Sequence, residues 1–129
     1  MLKSKIKFEK FKKAFASLKL IYLKPHQEDR SNIDATIQRF EFTFELAWKF
    51  LKDHFSEQGI ELYYPKEIFQ EAYAMKIINH EEIWVSMLRD RNLASHTYNE
   101  KLADAIYERM KIYVPELELF LNFFENGLQ

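Results

Sequence analysis

Apolar residues along this chain recur at spacings of three and four, over stretches long enough for amphipathic helices. Phe8, Phe11, Phe15, Leu18 and Tyr22 form the first stripe, with lysines between them, and Pro25 with the polar run His26 to Asn32 ends it. A second helix is expected from about Ile33 to Phe55. Ile37, Phe40, Phe44, Trp48, Leu51 and Phe55 line one stripe, while Phe42, Leu46 and Phe50 add a second apolar surface. That pattern predicts a helix buried on both sides, with a subunit interface as one of the coverings. Gly59 suits the end of this helix. Pro65 suits the first turn of a short third helix, about Pro65 to Met75, and Asn79 is placed to cap a fourth from about Glu81 to Leu93, with Ile83, Trp84, Met87 and Leu88 inward. Thr97 and Glu100 match a capping box that opens a long last helix. On it Leu102, Ile106, Met110, Tyr113, Leu117, Phe120 and Phe124 keep the same spacing, and Pro115 inside the pattern predicts a kink or restart.

Only two glycines and three prolines interrupt the chain, so long helices joined by short loops are expected. The predicted architecture is all-α: a single domain over residues 1–129, an antiparallel up-and-down four-helix bundle with an extra short helix. Apolar residues make up 47% and aromatics 16%, enough for a packed core at this length. The absence of cysteine excludes a disulfide framework and any cysteine-based metal or redox site. No apolar run approaches the ~20 residues of a membrane span, and the N-terminus lacks a signal-peptide pattern. A soluble cytoplasmic protein without membrane contact is the simplest expectation. The net charge of -1 gives no reason to expect a polyanion partner, yet residues 1–24 hold eight lysines and a single acid, Glu9. A basic first helix can meet a polyanion or an acidic partner, or can be a solvated face.

The most chemically loaded stretch is Arg91-Asn92-Leu93-Ala94-Ser95-His96-Thr97-Tyr98, in which Arg91, His96 and Tyr98 form R-x4-H-x-Y at the turn between the last two long helices. A helix N-terminus favours a phosphate, and Arg91 adds a planar fork of permanently charged donors. An imidazole such as His96 exchanges protons near neutral pH. Together they suit RNA cleavage without metal: deprotonation of a ribose 2′-OH, stabilisation of the charged phosphorane and protonation of the leaving 5′-oxygen. One chain supplies a single such histidine where both an acid and a base are needed, so a two-fold dimer would complete the site. A structural role is open beside this one, since such residues also cap carbonyls or pair with acids such as Asp90. A nucleotidyl group on Tyr98 would set a negative phosphodiester beside Arg91 and His96; Tyr98 can equally be an ordinary residue of the turn. His26, His54 and His80 read as isolated surface residues. Glu41 and Glu45 share a face of helix two without a partnering ligand pair, so neither a metal nor another cofactor is expected.

The R-x4-H-x-Y stretch resembles the motif of HEPN domains. The segment Ile37 to Lys49, IQRFEFTFELAWK, is similar to the signature helix of the nucleotidyltransferase substrate-binding proteins, a branch of that superfamily. The resemblance covers nearly the whole chain. It implies a four-helix up-and-down bundle that forms a homodimer, partnered by a minimal nucleotidyltransferase encoded nearby, the pair often acting as a toxin–antitoxin system. It further implies Arg91 and His96 as the ribonuclease pair, Asn92 as a polar helper, RNA as substrate, and Tyr98 as the residue silenced by adenylylation. Some members of this branch are only the substrate-binding subunit of the transferase, which is the alternative implication.

Overall fold

The computed structural model describes residues 2–24 and 30–127, and all regular structure among them is helical. The helices are α1 (Leu2–Tyr22), α2 (Ser31–Glu57), α3 (Pro65–Ala74), α4 (Glu81–Leu93) and α5 (Glu100–Gly127), with a 3-10 turn, Ala94–His96, between the last two. The expected break at Pro25 and His26 lies outside the described residues; α2 begins two residues before its expected start. Arg30 precedes it in the left-handed region, at φ 65°, and sends its guanidinium to Asp104 of α5 at 2.7 Å.

Long-range pairs fix the topology. Arg39 and Asp53 of α2 meet the Ser17 carbonyl and Lys7 of α1, while Lys12 and Lys19 of α1 reach Glu125 and Glu118 of α5, so α1 runs antiparallel to both. Trp84 and Ser86 near the start of α4 meet Glu116 and Tyr113 of α5, and Asp90 further along meets Arg109, so α4 is antiparallel to α5. The result is the up-and-down four-helix bundle with short α3 packed beside α2 and α4. Its centre is aromatic. Ten of the twelve phenylalanines are buried, together with Trp84 and Tyr113; the exceptions are Phe42 and Phe123. Trp84 packs on Phe44, Phe69 and Phe120, joining four helices through one indole.

Several local expectations are corrected. The second stripe of α2 is not one surface: Phe50 lies in the core, Leu46 is half-buried, and Phe42 alone is 67% exposed. Asn79 does not cap α4; His80 takes that place and its backbone carbonyl accepts from Ile83 N–H at 3.0 Å. Thr97 does not open α5. Its hydroxyl donates back to the Ala94 carbonyl, and Asn99 caps the helix by accepting from Leu102 N–H at 3.2 Å. Pro115 sits inside α5 without a restart, because the helix continues on both sides to bury Tyr113, Val114, Glu116 and Leu117. His54 is half-buried and not isolated: its ring packs edge-on against Phe124 at 5.1 Å and beside Phe50 and Phe55. His80 is exposed but not isolated, since its Nδ1 lies 3.2 Å from buried Glu116. Gly59 behaves as expected. At φ 83° it closes α2 in a Schellman motif, with Ile60 N–H reaching the Phe55 carbonyl and its own N–H the Ser56 carbonyl.

Candidate functional site

The motif lies where α4 ends and the chain turns into α5. Asp90, one residue before Arg91, is fully buried, and its carboxylate takes two bonds from the Arg109 guanidinium, at 2.6 and 2.8 Å. The Tyr113 hydroxyl adds a third at 2.5 Å, and Ser86 Oγ lies 2.6 Å from the same hydroxyl. Burial, and then the bond to Asp90, push the Tyr113 phenol up to about 12. The guanidinium of Arg109 is raised as well, chiefly by its bonds to Asp90. This knot locks the last turn of α4 onto α5, so the residues that follow Asp90 leave from a fixed point.

Arg91 projects from that point toward α2. Its Nη2 meets Glu45 Oε1 at 2.7 Å and its Nη1 donates to Asn92 Oδ1 at 3.1 Å. Its Nε is buried with no hydrogen-bond partner. Glu45 is itself held: the Trp48 indole N–H donates to Oε1 at 3.1 Å and Lys49 lies 3.2 Å from Oε2. The acid paired with Arg91 is therefore Glu45, and Asp90 belongs to Arg109. Sequence reasoning marks Glu45 only as half of a metal site that is not expected, and so misses this role. Its spacing to Trp48 and Lys49, three and four residues on, is the available signal, since those side chains share its helix face.

The chain then tightens into Ala94–His96. Ala94 is buried and anchors the turn, the Thr97 hydroxyl closes it at 2.9 Å from the Ala94 carbonyl, and Asn99 N–H reaches the His96 carbonyl at 3.1 Å. His96 and Tyr98 are thrown outward. Tyr98 is 84% exposed, its hydroxyl lies 3.5 Å from His96 Nδ1, and the rings meet edge-on at 5.9 Å. The structure thus joins Arg91 to Asn92, and His96 to Tyr98, with no hydrogen bond or ion pair between the two pairs among the described residues. A cation held in place precedes a short turn in the chain, and a proton-transfer group and a phenol stand exposed at its end.

The sequence matches, over residues 6–126, the family described as Nucleotidyltransferase substrate binding protein like. The chain belongs to this family. The fold is shared with a Thermus thermophilus protein of known crystal structure, 36% identical, with a TM-score of 0.79, covering 87% of this chain and 96% of that one. It is shared equally with a Haemophilus influenzae protein described as revealing the fold of a substrate binding domain of a nucleotidyltransferase, 26% identical with a TM-score of 0.79, covering 92% of this chain and 98% of that one. A curated relative, probable ribonuclease HepT of Haemophilus influenzae, is 33% identical over 94 residues; the match covers 69% of this chain and 64% of the relative. The chain is thus a HepT-like member of a nucleotidyltransferase-associated family. Among the described residues no helix is long and apolar enough to cross a membrane, and no group of three or more His, Cys, Asp or Glu is placed to hold a metal ion.

Proposed function

We propose that this chain is the HEPN-type toxin of a HEPN/minimal-nucleotidyltransferase toxin–antitoxin pair: a metal-independent ribonuclease whose site forms at a homodimer interface, silenced by adenylylation of Tyr98. The observation that carries this reading is the exposed His96–Tyr98 pair at the end of a turn that Arg91 precedes. A histidine and a tyrosine kept for packing would be buried; these face solvent, five and seven residues along the chain from a guanidinium held by Glu45.

In the reaction one His96 takes the proton of a ribose 2′-OH, and the 2′-oxygen attacks the adjacent phosphorus. Two Arg91 guanidiniums stabilise the phosphorane charge. The partner protomer's own imidazole, entering protonated, hands its proton to the departing 5′-oxygen, leaving a 2′,3′-cyclic phosphate and a 5′-hydroxyl. Asn92 fixes one guanidinium nitrogen of Arg91. Silencing follows when Tyr98 Oη attacks the α-phosphorus of ATP on the partner transferase and pyrophosphate leaves. The new phosphodiester then sits beside His96 and supplies the anion that RNA would have brought.

The test is growth and RNA integrity on expression of the chain alone, against Arg91→Ala and His96→Ala. Toxicity and cleavage with the parent chain, lost in both variants, are expected; equal harmlessness of all three overturns the reading. A second reading, a non-catalytic substrate-binding subunit of a two-component nucleotidyltransferase, is favoured by the Glu45–Arg91 ion pair, which leaves the cation partly neutralised. It predicts a stable complex with the transferase and no RNA cleavage.

A further inference from the structure

We propose that the groove between α1 and α2 is a single-stranded RNA track that leads a strand to Arg91; this rests on the ribonuclease reading above. Most lysines of α1 are spoken for. Lys3 and Lys7 reach Asp53, Lys12 reaches Glu9 and Glu125, and Lys19 reaches Glu118. Lys10 and Lys13 form no ion pair among the described residues, are exposed, and line one concavity of about 580 Å³. Its other walls are Ala14, Ser17, Arg39, Phe42 and Leu46. Lys10 and Lys13 also border the neighbouring hollow with Lys5, Ile6 and Glu9, whose carboxylate is the single acid along this stretch and is turned toward Lys12 at 3.8 Å.

Unpaired cations and an exposed aromatic ring in one groove match the chemistry of unpaired nucleic acid. Phosphates are met by the ammonium groups, and a base stacks on a ring without being read for sequence. Phe42 is 67% exposed in a chain that buries nearly all its phenylalanines, so its exposure is not forced by a full core. The position is also suitable. Leu46, at the groove's edge, follows Glu45, whose carboxylate holds Arg91 at 2.7 Å. A strand that lies on Lys10, Lys13 and Phe42 and continues across α2 at Glu45 meets the guanidinium proposed to bind the scissile phosphate. An acidic protein segment would satisfy the lysines and leave the ring without a stacking partner.

The experiment measures fluorescence anisotropy of a short fluorescein-labelled oligouridylate with the full-length chain carrying His96→Ala, which stops cleavage, across a series of salt concentrations. Added Lys10→Gln and Lys13→Gln together should lower the slope of log affinity against log salt by about 1.4, two phosphate contacts' worth on a single strand. Adding Phe42→Ala instead should weaken binding about tenfold with the slope kept. No binding, or binding indifferent to all three substitutions, overturns the proposal. So does equal binding of a labelled polyglutamate, or a Phe42→Ala variant that turns a dimer into a monomer by sedimentation while binding the oligonucleotide as before. Binding that depends on these residues, with a wild-type chain that never cuts the oligonucleotide, supports the groove and removes the ribonuclease reading alone.

Discussion

Asp90→Ala is the substitution whose cost the structure sets most clearly. The wild-type carboxylate is fully buried and accepts three short bonds, two from Arg109 and one from Tyr113. Removing one partner of a buried ion pair costs ~3–5 kcal/mol, mostly because the other is left unpaired. Here the abandoned guanidinium is 32% exposed and regains some water, which places the loss near ~3 kcal/mol. Arg109→Ala is the harsher change, at ~4 kcal/mol, because the orphan is then a carboxylate with no exposure and only a phenol beside it. For a chain of this length ~3 kcal/mol corresponds to a fall in Tm of about 10 °C. The assay is urea unfolding followed by tryptophan fluorescence, from Trp84 buried against Phe44 and Phe120 and from half-buried Trp48, with the denaturant slope checked for constancy. A loss below ~1 kcal/mol for Asp90→Ala, or a smaller loss for Arg109→Ala than for Asp90→Ala, would refute the reasoning.

Other outcomes follow from the same geometry. Glu45→Gln should cost only ~1 kcal/mol of stability, since the pair is partly solvated, while lowering RNA cleavage about tenfold through a misdirected Arg91; unchanged cleavage would count against Glu45 as its positioning residue. His54 has its pKa lowered, mainly by burial, so the unfolded chain binds the proton more readily and stability is lost as pH falls through the ordinary histidine range. His54→Leu should flatten that part of the stability–pH curve, measured by urea midpoints between about pH 7 and 5. Tyr113, held up to about 12, stabilises the fold at neutral pH and loses that contribution as pH rises from about 10 through 12, because the unfolded phenol ionises first; Tyr113→Phe should show a smaller decline in that window. Intact-mass measurement after co-expression with a nucleotidyltransferase should find added AMP on the parent chain and none on Tyr98→Phe.

The bundle is legible in the sequence because its signal is repetitive. Phe8, Phe11 and Phe15, or Phe40 and Phe44, announce a buried helix face several times over, and α4 lies at the residues its pattern indicates. Ends are decided by single residues, and boundaries shift by one or two positions, which is why the Asn99 side chain displaces Thr97 as the cap of α5 and His80, with its backbone alone, stands where Asn79 is expected. Pro115 does not restart α5 because a proline removes one helical bond, and the buried residues around it outweigh that loss. The motif itself is plain in the sequence, and its partners are not. Glu45 and Arg91 lie far apart along the chain, and only the packing of α2 against α4 makes them neighbours. The same holds for Asp90: which of two arginines it takes is fixed by α5 bringing Arg109 alongside.

The Ala94–His96 turn has a consequence for how such a chain can change over time. Its buried member is an alanine, while His96 and Tyr98 contribute almost nothing to the packed interior. Replacing either should leave melting behaviour nearly untouched, so chemistry here can be gained, lost or traded without endangering the architecture beneath it. A lineage could exchange these side chains one at a time and keep every helix, continuing to dock whatever recognises the bundle.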